Sequence, residues 1–310
     1  MIGAGNEVVM KLHMVGIGRP AAALCLLLAV SAPASAEEKL RVICLGAHPD
    51  DCDLKAGGTA VKYARAGHAV KFVSLTNGNA GHQAQGGGIL AARRLGEARE
   101  SARRAGIEYE VLQYEDGELL PTLEARRDVI RRIREWRADL VLAPRPNDYH
   151  PDHRYTAVIV QDAAYMVTVP NLVADAPVLR RNPVFAYLAD PFQRPNPFRP
   201  DVVVAIDDVL DAKIDMLDAH ESQFYEWMAW HAGQLEQVPK EKAARRAWLA
   251  AQWPGYATLF GLDPAQPAWK AALEKRYGAR AAAVRQAEAF EIAEYGAQPD
   301  AAGLRRLFPE

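Results

Sequence analysis

An apolar run, Arg41-Val42-Ile43-Cys44-Leu45-Gly46, ends directly in Ala47-His48-Pro49-Asp50-Asp51, and Lys55-Ala56-Gly57-Gly58-Thr59-Ala60-Val61 then begins a helical pattern. A short apolar run of this kind reads as a strand buried on both faces. Strand, polar turn and helix in that order place an imidazole and two carboxylates at the strand's carboxyl end, where open α/β sheets bind their ligands. About a hundred residues later the device recurs: Leu140-Val141-Leu142-Ala143 leads into Asn147-Asp148-Tyr149-His150-Pro151-Asp152-His153 and a second helical pattern. Two His-Pro-Asp corners, each behind a strand, restrict the chain to folds in which such corners share one edge of a sheet.

The stretch between the corners keeps the alternation. A helix over Gly57–Ala66 closes at Gly67, and Ala69–Leu75 forms a second strand. A polar, glycine-rich loop over residues 77–88 follows it, then a helix from Ile89 to Ala105 and a third strand, Tyr109–Leu112. Leu123–Trp136 reads as an amphipathic helix, and its arginines, Arg126 to Arg134, fall at helical spacing among acids, as on a solvated face. Strict alternation predicts an α/β fold: a Rossmann-like, mostly parallel sheet with helices on both faces. With right-handed crossovers its strand order is 3-2-1-4-5, which makes the two corners neighbours at the switch point. Beyond them, Val184–Leu188 and Val202–Ile206 read as further strands. From Glu221 onward the sequence is helix-like and rich in tryptophan, an expected helical appendage on the same domain.

Lys11 and Arg19, the apolar run Ala21–Val30 and the small residues Ser31–Ala36 have the order of a secretory leader, too short to remain as a membrane span. The expected organisation is a signal peptide over 1–36, a catalytic-type domain over 37–223 and the appendage over 224–310. The product is expected outside the cytoplasm, periplasmic or extracellular, with no transmembrane segment after cleavage. A net charge of −2 without a concentrated basic surface argues against a nucleic-acid partner. Cys44 and Cys52 lie in and just beyond a core strand, and a chain of this size needs no disulfide to fold.

His48 and Asp51 from one corner and His153 from the other supply two imidazoles and a carboxylate. That set suits catalytic Zn²⁺ with a position left for water, and it also suits Fe²⁺. Zinc lowers the pKa of its water to about 7. Asp50, beside a ligand on the same turn, is placed to act as general base. His150 begins the helix that carries His153, with Pro151 at the first helical position, and is placed to stabilise an oxyanion.

Ala47-His48-Pro49-Asp50-Asp51 and His150-Pro151-Asp152-His153 together resemble the two signature segments of the PIG-L/LmbE-like N-deacetylases, over roughly Arg41 to Gln223. The resemblance implies a zinc-dependent hydrolase that removes an acyl group, usually acetyl, from an amino sugar or its conjugate, so that the partner is a small molecule or glycan. It implies His48, Asp51 and His153 as metal ligands, Asp50 as base and His150 as the oxyanion-stabilising histidine. Arg94-Leu95-Gly96-Glu97 and Asp116-Gly117 are similar to elements that reach substrate hydroxyls in such enzymes, although Arg94 and Glu97 also have the spacing of a plain i,i+3 ion pair. His220-Glu221-Ser222-Gln223 is similar to a late, structural element. Many members carry Glu after the Asp pair, where this chain has Cys52 and then Asp53. A non-catalytic, metal-containing sugar-binding protein of the same fold is the alternative, whereas a nucleotide-cofactor enzyme is disfavoured because no G-x-G-x-x-G turn follows the first strand.

Overall fold

Alternate residues of the first strand, β1 (Arg41–Gly46), enter different cores: Val42 and Cys44 pack with Ala60 and Met216, and Ile43 and Leu45 with Ile130 and Val160. Period-two burial on both faces requires a layer on each side, and the structure, a computed structural model that describes residues 39–310, has that form. The leader expected over 1–36 lies outside the described residues.

The chain continues through α1 (Asp51–Arg65), β2 (Ala69–Thr76), α2 (Gly87–Ala105), β3 (Glu108–Tyr114), α3 (Leu123–Trp136), β4 (Leu140–Ala143), α4 (Pro151–Met166), β5 (Val184–Leu188) and β6 (Val202–Ala205). After α5 (Leu210–Ala219), a π-helical stretch over Ser222–Trp227 runs into α6 (Met228–His231). Helices α7 (Lys242–Leu259) and α8 (Pro267–Tyr277), strand β7 (Ala287–Gly296) and α9 (Ala301–Leu307) complete it. The sheet order is β3-β2-β1-β4-β5-β7-β6. The first five strands are parallel, in the expected 3-2-1-4-5 order, and β1 pairs with β4 through Val42↔Leu140, Ile43↔Val141 and Cys44↔Leu142. Their carboxyl ends, and so the two corners, lie side by side.

Two features depart from the sequence reading. The C-terminal region is not wholly helical: β7 enters the sheet antiparallel between β5 and β6. Its Ala and Glu favour helices locally, but tertiary pairing decides strand formation. Within the arginine-rich helix, Arg134 is fully buried and donates to the carbonyls of Met166, Val167, Val169, Leu172 and Val173, tying down the turn after α4. Trp253 and Trp269 sit in a third core with Leu54, Phe224 and Ala289, which packs α7 and α8 onto the sheet. Among the described residues no helix is long and apolar enough to cross a membrane.

One buried ion pair shapes α1 from outside. Glu288 of β7 accepts from the backbone N–H of Gly58 (2.9 Å) and Thr59 (2.7 Å), while Lys213 of α5 donates to the Leu54 carbonyl (2.7 Å) and to Glu288 (2.5 Å). The Gly58 amide and the Leu54 carbonyl are the groups a regular helix pairs with each other. Glycine at 58 makes room for Ile206, whose side chain would stand 2.8 Å from a Cβ there.

Candidate functional site

Asp50 stands at the N-cap of α1, yet its side chain makes no capping bond. The neighbouring carboxylate stabilises the turn instead: Asp51 Oδ2 accepts from the amides of Ala47 (2.8 Å) and His48 (2.9 Å). That leaves Asp50 to face Arg94, whose guanidinium lies 3.2 Å from Asp50 Oδ1. At the second corner His150 is the N-cap of α4: its Nδ1 accepts from the Asp152 amide at 3.2 Å, and Pro151 fills the first helical turn. One turn of helix then presents His153 beside His150, their rings stacked with centroids 4.8 Å apart.

The corners meet. His48 Nδ1 lies 3.1 Å from His153 Nε2 and 3.6 Å from Asp51 Oδ2, and His153 Nε2 lies 3.4 Å from Asp51 Oδ1. Ligands on a tetrahedral ion with bonds of about 2.0–2.1 Å stand roughly 3.3 Å apart, a spacing the two imidazole nitrogens have, while the Asp51 distances run to its two different oxygens. Among the described residues, His48 with His150 and His153, and His48 with Asp116 and Asp152, are the groups whose donor atoms all lie within 4.8 Å of one another. The other nitrogen of each ring is held by an acid. His48 Nε2 faces Asp152 Oδ2 (3.2 Å) and Asp116 Oδ1 (3.3 Å), and His153 Nδ1 faces Asp148 Oδ2 (3.0 Å). A carboxylate behind each imidazole fixes the ring and strengthens it as a donor, as in metal sites generally.

The electrostatics agree. Burial by itself would lower His48, but Asp116, Asp152 and Asp51 outweigh it and hold the ring well above its usual range. Burial opposes charge on His153 too, and Asp51 and Asp148 still push it up to about 9. The acids packed around the two rings thus favour positive charge in the cluster. Burial raises Asp50 above the ordinary carboxylate range, against the pull of Arg94. His150 is lowered, first by burial and then by the charge of His48 and His153. Its Nδ1 accepts from a backbone amide, so the neutral ring carries its proton on Nε2. A neutral imidazole donor of this kind can polarise an oxygen.

Arg94 is 2 % exposed and is occupied by Asp50, by Asp116 (3.7 Å) and by the Gly78 carbonyl (3.2 Å). Its guanidinium thus lies beneath the Asp50 carboxylate, and Asp116 links it to His48. Nor does an Arg94–Glu97 pair form; Arg93 reaches Glu97 at 3.2 Å, and Glu97 accepts from Ser222. His220 is fully buried 3.3 Å from Asp53, which also accepts from Ser101, so the late element and the unusual Cys52-Asp53 pair are internal bracing. Cys44 and Cys52 are free and buried. The sequence reading missed Asp148 and Asp152 as supports of the histidines. The signal was present, because both acids flank His150 and His153 within the second corner.

Comparison with known proteins gives the chain its relatives. Residues 43–164 match the PIG-L family, described as GlcNAc-PI de-N-acetylase. The chain is 33% identical over 198 residues to a diacetylchitobiose deacetylase of Thermococcus kodakarensis, covering 61% of this chain and 73% of that protein. It is similar to the solved N,N'-diacetylchitobiose deacetylase of Pyrococcus horikoshii in complex with its inhibitor MPG, with a TM-score of 0.60 and 27% identity over 81% of this chain and 83% of that one. A 4-carboxy-2-hydroxymuconate hydratase, GalB of Pseudomonas putida KT2440, gives the same TM-score of 0.60 at 17% identity, over 84% of this chain and 99% of that one, a likeness of fold alone. With both signature corners meeting at one point and a relative this similar over most of its length, the chain belongs to the PIG-L/LmbE-like deacetylase family.

Proposed function

We propose that this protein is a metal-dependent N-deacylase of the deacetylase type, which removes an N-acyl group such as acetyl from an amino sugar or glycoconjugate, acting outside the cytoplasm as the leader pattern over 1–36 suggests. The observation that carries the reading is the convergence of His48 Nδ1, His153 Nε2 and the Asp51 carboxylate, with an acid behind each ring. Two nitrogens and an oxygen suit Zn²⁺, with Fe²⁺ as the other ion such a set accepts. When bound, the ion supplies Lewis acidity and lowers the pKa of water toward 7.

The residues do the rest. Asp50 takes a proton from the attacking water as the new C–O bond forms at the amide carbonyl. Arg94 beneath it keeps the carboxylate oriented. His150 donates from Nε2 to the oxygen that gains charge. Asp50 then returns its proton to the nitrogen as the C–N bond breaks, so that acetate and a free amine leave.

The test is metal analysis of the purified protein with an acetate-release screen across N-acetylated sugars. His153→Ala is expected to lose both bound metal and acetate release; a variant that kept its metal and turned over at the parental rate would remove His153 from the site. Asp152→Asn should leave the ligands in place but weaken metal affinity about 10–100-fold, as other partners of metal-bound histidines do. Titration of the metal-free variant with Zn²⁺ measures this, and an unchanged affinity would show that Asp152 does not tune His48.

A further inference from the structure

Beside the metal-type site lies a cavity of about 450 Å³ that Asp51, His150 and His153 line on one wall. Leu54 of α1, Leu188 at the end of β5, Phe192 in the loop beyond, and Leu259 and Phe260 at the end of α7 make its other walls mostly apolar, with Lys55, Arg145, Asp148 and Asp190 also at its lining. Tyr149 stands at the same cavity with its ring 5.2 Å from that of Phe192. The two cations nearby are already engaged. Lys55 donates to the carbonyls of Ala189 (2.8 Å) and Phe260, and Arg145 is held bidentate by Asp190 at 2.7 and 2.6 Å. Leu259 and Tyr149 are nonetheless 65% and 77% exposed, two large apolar side chains left facing water next to a reaction centre.

We infer that this cavity receives the N-acyl group of the substrate, and that the group it fits is a linear chain of medium length instead of acetyl alone. The inference rests on the deacylase reading above. Orientation supports it: Asp50, which returns a proton to the leaving nitrogen, does not line this cavity, so the amine lies toward Asp50 and the acyl carbon's other substituent points into it. Asn77, Arg94 and Asp116 on the Asp50 side are polar and largely buried, a setting that does not suit an alkyl chain. Size supports it as well. A methyl group leaves most of such a space unfilled, since even a water molecule claims only about 30 Å³. The end of α7 is fixed for this purpose by Gly261, at φ +77, where a Cβ would lie 2.5 Å from the Asp190 carbonyl carbon.

The experiment compares N-acetyl-, N-butanoyl-, N-hexanoyl- and N-octanoylglucosamine as substrates of the metal-loaded, purified protein. Each step adds two methylenes, each worth roughly fourfold in binding, so kcat/KM is expected to rise roughly fifteenfold per step until the cavity is full. The gain should fall mainly in KM, because the contacts lie away from the reacting atoms. In Leu259→Asp, at an exposed position that tolerates the change in folding, the octanoyl-to-acetyl ratio is expected to drop at least about tenfold. Cleavage of the acetyl sugar with equal or lower efficiency for every longer chain would overturn the inference and leave the deacetylase reading standing. An unchanged ratio in Leu259→Asp would overturn it too. Failure to cleave any of the four would remove the deacylase reading itself.

Discussion

Replacing Asp50 with asparagine is expected to cut acetate release by about 10²–10⁴-fold, the usual contribution of a positioned acid–base group, while metal content stays at the parental level. Asparagine keeps the shape and can still meet Arg94, but it cannot take the proton from water or return it to the amine. The separation of readouts follows from the turn. Asp51 makes the bonds to the Ala47 and His48 amides and faces His153, so the framework that holds the cation does not depend on its neighbour. Acetate quantification with metal analysis on the same preparation checks both halves. Parental turnover in Asp50→Asn would assign the base elsewhere, and loss of metal would show that Asp50 is itself a ligand.

Glu288→Ala is expected to have the largest effect on stability, about 3–5 kcal/mol, the cost of breaking a buried ion pair from one side. Lys213 and Glu288 are both fully buried. Burial already pulls Lys213 below its usual range and the Glu288 carboxylate opposes that, so its removal strands an ammonium in an apolar setting. It also leaves the Gly58 and Thr59 amides without their acceptor. The double replacement Lys213→Met with Glu288→Gln removes the stranded charge and keeps an acceptor, and should recover at least about half of the loss. Urea unfolding of the three proteins measures this through the midpoint. A shift below about 1 kcal/mol for Glu288→Ala would mean that the pair contributes little.

Local pattern made the five parallel strands and both corners readable, because each strand's apolar run and each turn's proline and glycine signals agree with the final fold. The convergence of His48 and His153 then followed from strand order. What local pattern does not carry is partnership across the sheet. Ala287-Glu288-Ala289-Phe290-Glu291-Ile292-Ala293-Glu294 is composed like a helix, and it becomes a strand because β5 and β6 both pair with it and Lys213 neutralises the acid it buries. Arg94 was legible as important but not as a counter-ion, since its partner Asp50 belongs to another element. Asp148 and Asp152 show the opposite case: they lie within the motif itself, and only the chemical habits of metal-bound imidazole, not conformation, would have singled them out.

The position of β7 fixes when folding can finish. Strand β6 is synthesised some eighty residues before the strand that joins it to the rest of the sheet. Without β7, β5 ends in an open hydrogen-bonding edge and β6 has no neighbour in the sheet. Completion of the sheet thus waits for β7, and truncations that remove 287–296 should yield aggregates, not a smaller working domain.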